Sequence, residues 1–405
     1  MRLAKVCSLV MTLALVVAMV GCGDKGEPAA KKKGEEPGKA EIVVPKDATP
    51  KLFLPPLPIE YNTPDGMTLA ADGNLYLSVP NFNELRKMDL LFKPEIKEYP
   101  DKYPAFIARI DKDNKIEKFS DLPLHPVSKR CGPMGLDQGP DGHLYIADNQ
   151  YFFDTNHASR LVRVKIGEDG EAAGHDVVVE GFKLSNAVAW KGDHVYVSDT
   201  FFDLHEQDKS LLGEDGKPKT GWSGVYRFHI DEFKDGPVKL KPYGTDPHVI
   251  AKFETIPNAR GDIAGADGMT FDKDGNLYCG NFGDGVISKI TFDKDGKVAS
   301  QKILVKTPTI PSCDGIIYDA RTDQIYVTDS QENAVHIIKP DGRFQKIWSN
   351  EDTDGSDGLL DQPCEPCLRG DELILVCFDM SFPGLKNSGY DGVNTIHVID
   401  LTPEK

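Results

Sequence analysis

The stretch that decides the fold is Gly265–Asp284, GADGMTFDKDGNLYCGNFGD. It reads as a short polar segment, an apolar strand, a tight turn at Asp274-Gly275 and a second strand ending on a polar residue. Asp-Gly between two apolar runs is a strong hairpin signal, because glycine accepts the positive φ such a turn needs. Variants of the unit start at Thr63 (TPDGMTLAADGNLYLSVPN), Cys131 (CGPMGLDQGPDGHLYIADN) and Leu184 (LSNAVAWKGDHVYVSDT). Two more start at Cys313 (CDGIIYDARTDQIYVTDS) and, with a weaker pattern, Cys364 (CEPCLRGDELILVCFD). Six hairpins separated by further strand-like segments predict an all-β, six-bladed β-propeller with four-stranded blades around a central channel. No amphipathic helix interrupts them. Tyr243 to Ala264 has no clear period and reads as a long connection. Asn394 to Asp400 reads as a last strand, available to close the ring against the N-terminal region.

The 405 residues carry a net charge of -17, which argues against a nucleic-acid partner, since such proteins use basic grooves. Arg2 and Lys5 precede an apolar run, Leu9 to Val20, that is too short to span a bilayer. With Gly21-Cys22 directly behind it, this start resembles a bacterial lipoprotein signal, which implies a signal peptide over residues 1–21 and lipid attachment at Cys22. Residues 22–50 form a tether and lead-in, rich in Lys, Glu, Gly and Pro up to Lys39, and the propeller occupies 51–405. The expected location is the bacterial cell envelope. The protein would be exported and held to a membrane through Cys22, either outer-membrane-anchored and facing the periplasm, as Gly23 suggests, or at the cell surface.

Export places the domain in an oxidising compartment, and six cysteines remain beyond Cys22, so disulfides are expected. Cys313 and Cys364 precede rim positions of successive copies, which would allow a link between neighbouring blades. The Cys364/Cys367 pair has no second pair at zinc-site spacing.

Aligning the copies puts Asp65, Pro133, Asn186, Asp267, Asp314 and Glu365 at one end of the channel. Five carry side-chain oxygens, and four carboxylates brought together need compensation. A hard cation supplies it, and Ca²⁺ accepts such donors in flexible geometry where Mg²⁺ demands a small octahedral cage. The competing reading is that each Asp before a Gly accepts local backbone hydrogen bonds and nothing more. Asn186 and Asp267 are the stronger candidates. The acidic Asp352–Gly358 turn lacks EF-hand spacing.

A second tier, Asp148, Asp199, Asn281, Asp329 and Asp379, ends the paired strands and is read as structural. The aromatic segments from Tyr151 and Phe201 could line a pocket above an ion or pack inserted loops. Among the histidines, His125, His157, His205 and His248 lie in connections from which they could reach a pocket; His205 and His248 are taken as candidate acid–base groups. GxSxG, HExxH and dinucleotide-binding glycine patterns are absent from the sequence.

The segments LSNAVAW from Leu184 and ADGMTFDKDGNLYCGN from Ala266 resemble motifs of the SMP-30/gluconolactonase/LRE-like superfamily of six-bladed propellers, over roughly Ile59 to Asp400. The resemblance implies that Asn186 and Asp267 ligate calcium and that Asp267 serves as general base in lactone hydrolysis. Family enzymes add an Asn one blade earlier, where this chain has Pro133, and a Glu, for which Glu365 or Asp65 is available. RCGPMGLDQGPDGHLYIADNQYF is also similar to strictosidine-synthase-like propellers, which need not share calcium chemistry. The expected function is an exported Ca²⁺-dependent hydrolase of a small lactone, ester or phosphoester. The alternative is a non-catalytic membrane-anchored propeller that binds a small ligand or an envelope protein.

Overall fold

The computed structural model describes residues 41–82, 103–153, 157–257, 262–380, 384–387 and 389–403. The expected signal peptide and Cys22 lie outside these. Among the described residues no helix is long and apolar enough to cross a membrane.

The six expected hairpins each seed one sheet. Five sheets have four strands, and the second gains a fifth because Val238–Lys239 adds in parallel to Ala172–Phe182. The inner strands are Met67–Leu69, Pro133–Gln138, Ser185–Lys191, Ala266–Phe271, Ile316–Asp319 and Pro363–Arg369. The ring closes within the sixth blade. Its third strand is the C-terminal Ile396–Asp400, and its outermost strand is Lys51–Leu52, with Lys51 opposite Val398. The region read as a connection contributes one strand after all. Val249–Thr255 is the outer strand of the third blade, and its alternating burial pairs it with Gly221–His229.

Two repeated devices explain why this sequence makes blades. A tyrosine stands at the same place in five second strands (Tyr76, Tyr145, Tyr196, Tyr278 and Tyr326), and each is at most 5% exposed. Burying such a side chain is worth about 1.5–3 kcal/mol, provided its hydroxyl finds a partner. Tyr145 donates to Asp141 Oδ2 at 2.9 Å and Tyr278 to Asp272 Oδ2 at 2.9 Å, so acidic residues of the hairpin turns complete the core.

The second device is close approach at the axis. A Cβ on Gly135 would lie 2.7 Å from the Asn186 carbonyl oxygen, and one on Gly268 only 2.3 Å from that of Asp314. In the four blades where glycine follows the rim residue, the inner strand can therefore touch its neighbour this closely only because no Cβ stands there.

Candidate metal centre and pocket

Register fixes which residues share the rim. Ala266 pairs with Asn281 and Ser185 with Asp199, and Asp267 and Asn186 follow. In the second blade Pro133 pairs with Asp148, so the equivalent residue is Met134, not Pro133. In the sixth, Pro363 pairs with Cys377 across the same bulge, which puts Cys364 at the rim. Glu365 stands one residue further on. There its Cα meets Gly315 as the Gly315 Cα meets Gly268, so Glu365 occupies the place held by glycine in four other blades. The hairpin turn of the sixth copy is one residue shorter than that of the fourth, which is why the aligned motif slips. The same slip moves Asp379 out of the second tier, where Cys377 stands in line with Asp199.

The structure brings Asp65, Asn186, Asp267 and Asp314 to the wall of one cavity of about 220 Å³, together with Met134 and Gln362. Asp65 and Asp267 are 7% and 6% exposed. Burial, then the Asp314, Asp65 and Glu365 charges, pushes the Asp267 carboxyl well above the ordinary range, while the Asn186 amide beside it favours the charged form. Burial and Asp314 raise Asp65 likewise. Asp314 is raised to about 7, chiefly by burial, even though the Ser330 hydroxyl donates to its Oδ2. Among the described residues, no Lys or Arg pairs with these carboxylates. Among the described residues this buried acidic floor has no counter-charge, and its oxygen donors match a hard cation. The fit is looser than a closed cage. Among the described residues, the group whose oxygens all lie within 4.8 Å of one another is not at the rim but is Asp361, Asp379 and Asp391 in the sixth blade.

Above the floor the cavity is apolar. Tyr151 stacks on Phe201 at 5.1 Å with 23° between the rings, and Phe152, Phe282, Phe378 and Met380 continue the lining. In both aromatic segments the residue after the one facing the cavity turns to the core: Phe202 is 1% exposed, and Phe153 packs on Phe82. Phe282, Gln362, Phe378 and Met380 were not singled out from sequence. Phe282, Phe378 and Met380 follow the ends of second strands and Gln362 precedes an inner strand, places where the motif gives no sign of the chain's course. A larger surface hollow of about 650 Å³ includes Arg163 and Asp176, but these two pair with each other at 2.7 Å and the hollow shares no residue with the rim.

The candidate histidines are elsewhere. His248 is held by Asp246 at 2.6 Å and Glu232 at 2.8 Å, and packs on the Phe228 ring at 4.7 Å. His205 sits in a short 3-10 turn beside Leu211 and Thr220. Neither lines the cavity. The second tier is structural in the blades that keep it. Asp148 is fully buried against Arg160 and accepts from Gly132 N at 2.8 Å, and Asp199 accepts from Leu184 N at 2.8 Å. All six described cysteines are buried free thiols. The Cys364 sulfur lies 3.3 Å from the Val376 carbonyl oxygen of its own blade rather than bridging to Cys313.

No family model and no curated protein matches the sequence. Solved structures do. A luciferin-regenerating enzyme superposes with a TM-score of 0.53 at 13% identity, over 88% of this chain and 96% of the other. An aldose sugar dehydrogenase from Streptomyces coelicolor, solved with PQQ bound, gives a TM-score of 0.50 at 16% identity over 88% and 99%. A gluconolactonase from Xanthomonas campestris gives 0.47 at 12% identity, over 90% and 99%. The protein is thus an all-β six-bladed propeller, an architecture it shares with the luciferin-regenerating enzyme and the aldose sugar dehydrogenase.

Proposed function

We propose that the protein is an exported Ca²⁺-dependent hydrolase of small lactones, esters or phosphoesters whose substrates carry an apolar or aromatic part. The observation that carries this reading is the acidic floor of Asp65, Asp267 and Asp314, with Asn186 beside Asp267, under a wall of stacked aromatic rings. Asp65, Asn186, Asp267 and Asp314 would hold the ion, with Glu365 contributing charge from the channel beneath. When bound, Ca²⁺ supplies electrophilic polarisation of a carbonyl or phosphoryl oxygen. Asp267 would take the proton of the attacking water, a role open to a carboxylate on the cavity wall. Tyr151 and Phe201 orient the leaving or acyl part and exclude water from around it. Lipidation at Cys22 would hold the domain at the envelope membrane.

A second reading, a non-catalytic module binding an apolar small molecule or an envelope protein, draws on Met134 and Cys364 replacing oxygen donors at two of the six rim places. A screen of aryl and alkyl lactones, esters and phosphotriesters, before and after chelation, separates the two. The hydrolase reading expects turnover that chelation removes, calcium restores and Asp267→Asn abolishes. Tight ligand binding without turnover in calcium supports the second reading.

A further inference from the structure

The sixth blade holds a second group of carboxylates that takes no part in the rim. Asp361 precedes the inner strand, Asp379 follows the second strand, and Asp391 comes from the loop that leads to the C-terminal strand. Their oxygens lie within 4.8 Å of one another, with Asp361 fully buried and Asp379 1% exposed. Asp379 has a left-handed backbone, φ 47°, and its described hydrogen bonds are long: 3.4 Å from Asn387 Nδ2 and 3.4 Å from Asp391 N. Burial, followed by the Asp361 and Asp391 charges, raises its carboxyl well above the ordinary range.

A separate feature points the same way. The Thr395 hydroxyl is 1% exposed and has no hydrogen-bond partner. It lies near Asp361: the point a Gly355 Cβ would take is 2.6 Å from Thr395 Oγ1 and 3.4 Å from Asp361 Cβ. Its other polar neighbour is the Cys377 thiol, a weak partner. A buried hydroxyl without a partner is costly, and carboxylates gathered in one place raise one another's pKa values.

We propose that Asp361, Asp379 and Asp391, with Thr395 beside them, form a second metal site that takes a hard divalent cation of the Ca²⁺ type. All its donors are oxygens, which suits calcium and disfavours zinc or copper. The role is structural. Gln362 follows Asp361, and Phe378 and Met380 flank Asp379, and all three line the central cavity. The cation would therefore tie one wall of the cavity to the blade where the N-terminal and C-terminal strands meet.

The inference does not depend on hydrolysis. The test is a calorimetric Ca²⁺ titration of the chelated protein carrying Asp267→Asn, which removes the rim as a competing site. The expected result is one bound equivalent, weakened at least tenfold by adding Asp391→Asn, a half-buried loop residue chosen to spare the core. Because Tyr390 adjoins Asp391 in the chain, Tb³⁺ should give tyrosine-sensitised emission in the Asp267→Asn protein. Tyr390→Phe should remove that emission while leaving the stoichiometry unchanged, and this arm needs no carboxylate variant to fold. No binding by the Asp267→Asn protein, or binding that Asp391→Asn leaves unchanged, overturns the proposal. If the wild type binds a single equivalent that Asp391→Asn removes and Asp267→Asn does not, this site stands and the rim reading fails.

Discussion

Asp314 offers a quantitative test of the acidic rim. Its carboxyl is raised from 3.8 to about 7, mainly by burial. Lifting a carboxyl that far costs the ionised folded state about 4 kcal/mol once the group is charged. The sign follows from which state binds the proton more tightly. Folded Asp314 does, so its penalty is absent below 3.8, grows as pH rises through the interval, and is complete above about 7. Asp314→Asn keeps the shape and removes the charge, at the cost of altering the hydrogen bond from Ser330. In chelator, urea unfolding at pH 8 should find Asp314→Asn more stable than wild type by up to about 4 kcal/mol, an upper figure because neighbouring carboxyls share protons. At pH 4.5 the difference should shrink to below about 1 kcal/mol. Saturating calcium should reverse the order at pH 8, since the wild type alone keeps the full donor set. Equal stabilities in chelator at pH 8, or a difference that does not change with pH, would refute the argument that Asp314 is held as an uncompensated buried charge.

Other consequences follow from the packing. Arg160→Met should cost roughly 3–5 kcal/mol by leaving Asp148 buried without its partner, and Asp148→Leu in the same chain should recover much of it, as read by denaturant midpoints. A Cβ on Gly280 would lie 2.1 Å from Cys313 Sγ, so Gly280→Ala should destabilise by about 1–3 kcal/mol, with Cys313→Ala relieving most of that in a double-mutant cycle. For His248, burial opposes the charged form, but Glu232 and Asp246 outweigh it and raise its pKa above 6.5. That stabilisation is fully present below 6.5 and is lost as pH rises through the raised value. His248→Gln should therefore lose more stability at pH 5.5 than at pH 9, and equal losses would count against the ion pairs.

The blades were legible because their signals are local: Asp-Gly turns, alternating strands and a tyrosine at a fixed offset. Register was less legible. Met134 breaks the polar-then-glycine signature and the sixth hairpin is one residue shorter, so the motif alone set Pro133 and Glu365 one residue away from the rim. Val249–Thr255 was missed because its alternation, Ala251, Phe253 and Thr255 against Lys252 and Glu254, is short and lies inside a long stretch without other strand signals. Asn186 and Asp267 reach the cavity wall where the aligned copies put them, because the third and fourth hairpins keep the same rim register. Loop histidines offer only chemistry and no geometry, and His248 spends its two ring nitrogens on Asp246 and Glu232. The cluster of Asp361, Asp379 and Asp391 draws on three chain segments that no single motif unites.

The central claim is that oxygens from separate blades bind one divalent ion beneath the aromatic wall. It is tested most directly by titrating calcium into chelated protein carrying Asp391→Asn, so that the rim is read alone. One bound equivalent, removed by adding Asp267→Asn, is the predicted result. A rim that takes up no calcium with Asp267 intact would contradict it.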